Sequence, residues 1–341
     1  MERQDQLDSI PRDLRQHLDY FRSFSRKVMD NIKIRKVVYR SFGGIGDMGS
    51  FEVSSLFRKL EGLDIVHNPI GFFVTHNVKR DQKYLATCHG LYPLRQGTKD
   101  AFLELLFRRG TNFNIRRADH IIANSTQSMK ELIDIGYPAD KITVVYRGLR
   151  KQFIKKKYRK RHNNRFVVGY LGTFAPQKNV GMLVEAFKLT DAKDLALKIW
   201  GGVGGYSGSG IAEMAADDDR IRFMGVCPEV NIVNTYDNFD LFVFPSKYES
   251  FGIPILEAQA RGKPVIILKS ARLPSEVRKY CIEVEDEEHM AEKIIDIKKN
   301  GYEADKKREA MAYARKFTWE RAAKETVEVY RRLAYRKVDI K

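Results

Sequence analysis

The sequence reads as an alternating α/β protein with two domains. Its 341 residues are enough for two hydrophobic cores of ordinary size. Short runs that are apolar throughout, 241–244 and 166–171 among them, each pass through a turn into a helix-forming segment. That is the pattern of parallel strands covered on both faces. Between two such halves lies a basic run, 155–161, with no periodic apolar face, which predicts a solvated linker. The expected division is a Rossmann-like domain over 1–150, a linker over 151–165, a second Rossmann-like domain over 166–317 and a terminal helix over 318–341.

Composition narrows the classes. An apolar content of 43% is that of a globular chain. No apolar run approaches the roughly 18 residues of a membrane-crossing helix. The first five residues, Met-Glu-Arg-Gln-Asp, lack a signal-peptide core, so a cytoplasmic protein is expected. Three cysteines, Cys88, Cys227 and Cys281, are far apart and form no Cys-x-x-Cys pair, which indicates neither a disulfide framework nor a zinc site. The 61 Lys and Arg against 44 Asp and Glu give a net charge of +17, spread along the chain. A large anionic partner fits that balance: a phospholipid surface or a nucleic acid. No basic motif with interleaved aromatics favours nucleic acid.

In chain order, 9–33 reads as an amphipathic helix with Leu14, Leu18, Phe21, Val28 and Ile32 on one stripe among arginines. It either packs on its own domain or lies on a membrane surface. A strand at 35–40 runs into Gly43, Gly44 and Gly46, a loop of the kind that cradles phosphate and also an ordinary turn. Strands follow at 63–67 and 84–88. The second leads to His89-Gly90, and a histidine at a strand's carboxyl end sits where open α/β sheets place ligands. His67 occupies a similar place one strand earlier. The helix over 98–110 is apolar around most of its circumference, so it is deeply buried or meets a greasy acceptor. Residues 119–124 form a strand entering a helix capped at Ser125 and closed at Gly136, and 141–146 form another strand.

The second half opens with the strand at 166–172, then Thr173, Pro176-Gln177-Lys178-Asn179 and a helix containing Leu183, Ala186 and Phe187. Strands are expected at 195–200 and 221–226, separated by a glycine-rich loop, 201–210. After the strand at 241–244, Pro245 and Ser246 mark a turn and Ile253-Pro254 mark a helix start, where proline costs no hydrogen bond. The amides of Phe251, Gly252 and Ile253 would then open the helix as an anion site. Glu249 stands before it, and Glu257 one turn in, with two oxygens suited to the hydroxyls of a ribose. Helices are expected at 273–280, 287–299 and 303–316, and a last helix over 319–336.

The stretch 244–258, with Glu249 and Glu257 separated by seven residues around Phe251-Gly252 and a Gly262-Lys263-Pro264-Val265-Ile266 run beyond it, resembles the retaining glycosyltransferases of family four. That resemblance implies the GT-B fold, two Rossmann-like domains facing a central cleft. It implies sugar transfer from a UDP-, GDP- or ADP-linked donor to an acceptor sugar or lipid-linked glycan; no Asp-x-Asp metal motif stands in a suitable loop, so no metal and no cofactor are expected. By the same resemblance Lys178 holds the diphosphate, Gly172 and Thr173 line it, Val226 and Cys227 offer backbone to the base, and Gly44 lies on the donor side. Glu257 takes the ribose, Glu249 orients the sugar, and His89 faces that sugar across the cleft. Thr173 stands where the family most often has a second cation, and Arg147-Gly148-Leu149-Arg150 stands where it usually has Asn-Gly-Val-Asp. The terminal helix is implied to cross back to the N-terminal domain.

The charge balance and the basic helix then favour a lipid-linked acceptor and a peripheral position on the inner face of the cell membrane. A soluble sugar or sugar-phosphate acceptor is the alternative within the class. A non-catalytic scaffold of the same fold and a nucleic-acid-binding protein are the alternatives outside it.

Overall fold

The computed structural model describes residues 62–69, 78–91, 113, 115–155, 165–202 and 209–335. The helices expected over 9–33 and 98–110, the strand at 35–40, Gly43, Gly44 and Gly46 lie outside these residues. The chain divides into two compact units, Met1–Gly148 with Thr318–Lys341, and Leu149–Phe317.

Among the described residues the first unit contains four parallel strands in sequential order, β1 (Ile65–Asn68), β2 (Lys83–Cys88), β3 (His120–Ala123) and β4 (Ile142–Val144). Successive side chains of a strand point to opposite faces. Tyr84, Ala86 and Cys88 of β2 and Ile121 and Ala123 of β3 therefore pack with Leu132 and Tyr137 on one side. Leu85 and Ile122 pack on the other side with Trp319, Ala322, Val329 and Leu333 of the terminal helix, Trp319–Tyr335. The helical spacing of those four residues gives one apolar stripe. At about 1.5–3 kcal/mol per fully buried large apolar side chain, that stripe binds the helix to this sheet. Helix α1 (Thr126–Asp134) is capped by Ser125, whose hydroxyl accepts from Ser128 N at 3.0 Å. It ends before Gly136, whose φ of 86° lets the chain turn away.

The second unit contains α2 (Lys151–Lys155), β5 (Phe166–Leu171), α3 (Val180–Lys188), β6 (Leu195–Trp200), α4 (Ser209–Met214), β7 (Ile221–Phe223), α5 (Ile232–Asp237), β8 (Leu241–Phe244), α6 (Ile253–Ala260), β9 (Val265–Leu268), α7 (Ser275–Arg278), β10 (Ile282–Val284), α8 (Glu287–Asn300) and α9 (Ala304–Ala314). The six strands among its described residues are all parallel, in the order β10-β9-β8-β5-β6-β7. The chain builds outward from β5 through β6 and β7, then returns to build outward the other way from β8. β8 and β9 are buried at every residue, as wholly apolar strands between two helical layers must be. Gly169 in β5 is a packing requirement, because a Cβ there would stand 2.2 Å from the Phe239 ring.

Several sequence expectations are corrected. The supposed linker begins as helix α2, anchored by the fully buried Phe153, whose ring meets Tyr236 edge-on at 5.5 Å. One aromatic anchor gives no periodicity to read. The stretch 282–284, expected as a separator, is strand β10, three residues with an outward Glu283. The strand expected over 221–226 stops at Phe223, since Gly225 turns the chain at φ 70° and leaves Val226 71% exposed. The strand expected over 141–146 is the shorter β4, preceded by a short helical turn over Ala139–Lys141, and the helix expected over 273–280 shrinks to α7.

Below α6 a buried ion pair crosses the second unit. Arg261 donates from Nε and Nη2 to the two oxygens of Asp237 at 2.8 and 2.9 Å. Lys263 donates to the Asp237 carbonyl at 3.0 Å, and burial pulls its pKa down to about 8. Among the described residues no helix is long and apolar enough to cross a membrane.

Candidate functional site

In an open parallel sheet, two adjacent strands whose connections leave in opposite directions open a crevice at their carboxyl ends. In the second unit β5 and β8 are that pair. Residues 172–179 follow β5 and residues 245–252 follow β8, and the two loops are stitched together. Lys247 N donates to the Gln177 carbonyl at 2.8 Å, and Arg272 N donates to the Lys247 carbonyl at 2.9 Å.

That stitching brings Lys178 and Glu249 together. Lys178 closes a short helical turn, Pro176–Lys178, and Asn179 behind it takes a left-handed φ of 53° so that α3 can start. Its Nζ donates to Glu249 Oε1 at 2.5 Å, and Ser246 Oγ donates to the same oxygen at 2.6 Å. Both charged side chains are largely buried, at 20% and 14% exposure, so the pair interacts with little solvent screening. The Lys178 ammonium also lies 5.6 Å from the centre of the Phe244 ring.

Helix α6 starts at Ile253 as the proline predicts, with Gly252 as its cap at φ 91°. A Cβ at Gly252 would touch Ile255 and Val277 at 3.4 Å, so both backbone angle and space favour glycine there. The Phe251 side chain is buried against Phe317, ring centres 6.0 Å apart, which fixes the backbone at the helix mouth.

Glu257 lies one turn further in and is buried. Its Oε2 accepts from Tyr236 OH at 2.9 Å, and its Oε1 lies 4.0 Å from Arg150 Nε. Burial first, and then the Glu257 charge, push the Tyr236 phenol far above its ordinary pKa, so it stays a donor. One Glu257 oxygen is thus held by tyrosine and the other faces a guanidinium. Arg150 also reaches Glu229, Nη1 to Oε1, at 3.5 Å.

Thr173 is exposed, and its carbonyl accepts from Tyr170 OH at 2.7 Å. Gly172 N donates to the Trp200 carbonyl at 3.0 Å, and Gly172 and Gly201 pass so closely that a Cβ on Gly201 would lie 2.0 Å from the Gly172 oxygen.

His89 belongs to the first unit, at the carboxyl end of β2, where its Nε2 donates to the Pro69 carbonyl at 2.8 Å. It lines a small cavity, about 40 Å³, with His67, Thr87, Asn124, Arg147 and Trp319. His67 is held between Tyr330 OH, 2.7 Å from Nδ1, and Thr87 Oγ1, 2.8 Å from Nε2. The structure therefore gathers Lys178, Glu249, Gly252 and Glu257 in the second unit and places His89 in the first. Gly44 lies outside the described residues. Among the described residues no group of His, Cys, Asp or Glu could hold a metal ion. Three members of the second-unit cluster were not singled out by sequence: Ser246, which read only as a turn residue, Tyr236, which carried no signal, and Arg150, visible only as a departure from a motif.

Residues 150–317 match the family model described as Glycosyl transferases group 1, and residues 15–153 match the one described as Glycosyltransferase Family 4. An O-antigen chain mannosyltransferase B of Escherichia coli is 25% identical over 79% of this chain. This chain spans 74% of that protein and about half, or less, of several other curated relatives. Among solved structures, a glycosyltransferase from Rickettsia africae superposes with a TM-score of 0.63 at 18% identity, over 89% of this chain and 84% of that one. Anabaena Alr3699/HepE, solved in complex with UDP and glucose, superposes with a TM-score of 0.57 at 19% identity, over 73% and 71% of the two chains. At such identities the superpositions establish the fold.

Proposed function

The chain belongs to the glycosyltransferases of family four, with the GT-B fold, and from that premise we propose that it transfers a sugar from a nucleotide diphosphate with retention of anomeric configuration. The observation that carries the reading is the meeting of Lys178, Glu249 and the mouth of α6 at the β5/β8 crevice, with Glu257 one turn behind. The leaving group is a nucleoside diphosphate, so negative charge grows on its phosphates as the glycosidic bond breaks. An ammonium and the positive end of a helix, preorganised where that charge appears, lower the barrier.

Each residue has a task in this scheme. Lys178 exchanges its hold on Glu249 for the diphosphate or bridges the two. Glu249, kept in place by Ser246, orients the sugar, and Glu257, kept in place by Tyr236, accepts from the ribose. His89 is assigned to the sugar. The diphosphate charge is met by lysine and amides, so turnover proceeds without a metal; loss of activity in EDTA that magnesium or manganese restores would reject that point.

The acceptor follows from charge. At +17 the chain is drawn to an anionic membrane surface, where each basic residue near the headgroups adds about 1 kcal/mol, and a lipid-linked glycan is the acceptor of choice. Failure to float with liposomes containing anionic lipid at moderate salt would remove the membrane from the scheme. The central test is a thermal-shift screen of nucleotide sugars, since a ligand that binds the folded chain stabilises it as concentration passes Kd. One donor should raise Tm, and NMR of the product should show its anomeric configuration unchanged. Stabilisation by none, or an inverted product, overturns the reading.

A further inference from the structure

Arg150 is fixed at its backbone and unsatisfied at its tip. Its carbonyl accepts from Phe153 N at 2.9 Å, and Leu149 N before it donates to the Phe317 carbonyl at 2.9 Å, so the residue is pinned at the start of α2. The side chain is 22% exposed and lies between two carboxylates, Glu257 at 4.0 Å from Nε and Glu229 at 3.5 Å from Nη1. These are ion-pair separations beyond good hydrogen bonds. Buried Nη1 has no hydrogen-bond partner at all. A guanidinium carries five N–H donors, and a buried donor left without an acceptor is costly.

On the roles proposed for Glu257 and for residues 226–227, the Arg150 side chain is at the nucleoside end of the crevice. Glu257 is the carboxylate assigned to the ribose. Glu229 opens the short turn Glu229–Asn231, just beyond Val226 and Cys227, the segment assigned to the base. With the ribose and base roles proposed for those segments, a side chain bracketed by these two acids would stand between ribose and base.

We propose that Arg150 reads the nucleobase of the donor, selecting one that presents carbonyl oxygens, uracil or guanine, over adenine. The inference rests on the donor site proposed above. Guanidinium N–H groups pair with carbonyl oxygens, and with the O6/N7 edge of guanine in bidentate fashion, whereas adenine turns an amine, itself a donor, toward them. Glu229 and Glu257 hold the guanidinium in place by charge and leave its Nη1 hydrogens for the base. The same contact that completes the arginine excludes the wrong nucleotide.

The test is isothermal titration of the full chain with UDP, GDP and ADP. The wild type should bind UDP or GDP at least about tenfold tighter than ADP. Arg150→Ala should bring the ratio to within about twofold by weakening the preferred nucleotide while leaving ADP nearly unchanged. Should Arg150→Ala melt below the assay temperature, Glu229→Gln provides a second reading. It leaves the arginine in place, removes one of its two anchors, and should narrow the ratio about threefold. A ratio unmoved by either variant, an equal loss for all three nucleotides, or a wild-type preference for ADP overturns the proposal while leaving the donor site intact. No binding of any nucleoside diphosphate to the wild type removes the donor site and this inference with it.

Discussion

The two sheets end differently. Near the carboxyl ends of β1 and β2 a histidine is held by hydroxyl groups, His67 lying between Tyr330 OH and Thr87 Oγ1. At the corresponding ends in the second unit stand Lys178, Glu249, Glu257 and Arg150. Both sheets are parallel and built from apolar strands, so strand chemistry does not separate them. Strand order does. The described strands of the first sheet run in sequence, whereas the second reverses between β5 and β8. Only at a reversal do two loops leave side by side with room between them, and there the charges collect. The second unit also keeps a charged pair in its interior, Arg261 with Asp237.

The largest effect should come from that interior pair. Arg261→Ala leaves the Asp237 carboxylate buried without its bidentate partner, and breaking a buried pair typically costs about 3–5 kcal/mol. Urea unfolding should show that loss, and a loss under about 1 kcal/mol would mean water reaches Asp237 and the pair is not interior in effect.

Next comes the crevice itself. Lys178→Ala should lower kcat by roughly a hundred- to a thousandfold, the range for removing one preorganised group that stabilises developing negative charge. Unfolding stability should change far less than for Arg261→Ala, since the remaining Glu249 still has Ser246. Steady-state kinetics with the donor found by thermal shift would measure it. A change confined to KM would place Lys178 in ground-state binding alone.

How much of this was legible follows from the same geometry. Glu249, Gly252 and Glu257 sit in one continuous stretch with a proline-marked helix start, so local rules place them together. Lys178 was reachable through its turn and through resemblance, but its pairing with Glu249 spans 71 positions and exists because β5 lies beside β8. Tyr236 joins Glu257 across 21 positions by the same folding of strands, and nothing around Tyr236 announces it. β10 escaped because three residues with a polar centre give no period, and Phe153 because a single buried ring just before a basic run looks like an accident. Order along the chain is written in local patterns, and order across the sheet is not.

Lys263 tests whether the second unit's interior is as dry as its ion pair implies. Its pKa is drawn from 10.5 to about 8, chiefly by burial. Below pH 8 both folded and unfolded chains carry the proton, and folding bears the full cost of burying it. Between about pH 8 and 10.5 the unfolded chain binds the proton and the folded chain does not, so this contribution to stability rises with pH. At about 1.4 kcal/mol per pH unit the wild type should gain roughly 3 kcal/mol over Lys263→Met across that window. Paired melts of the two proteins, in which other titrating groups cancel, would show it. A constant difference would mean the ammonium is solvated.

The smallest effect should come from the first unit. The Tyr330 hydroxyl is buried, and burial pushes its pKa up, so it remains protonated and hydrogen-bonds His67 Nδ1 at 2.7 Å. Tyr330→Phe deletes that one bond between the terminal helix and the end of β1 while keeping the ring edge-on to His67. The expected loss is about 1 kcal/mol, the worth of one net hydrogen bond, seen as a small drop in Tm. Nucleoside diphosphate affinity should stay as it was, because no group of the β5/β8 crevice is touched. A tenfold weaker Kd would show instead that the His67 network of the first sheet shapes donor binding, and the contrast between a hydrogen-bonded sheet end and an ion-paired, working one would no longer hold.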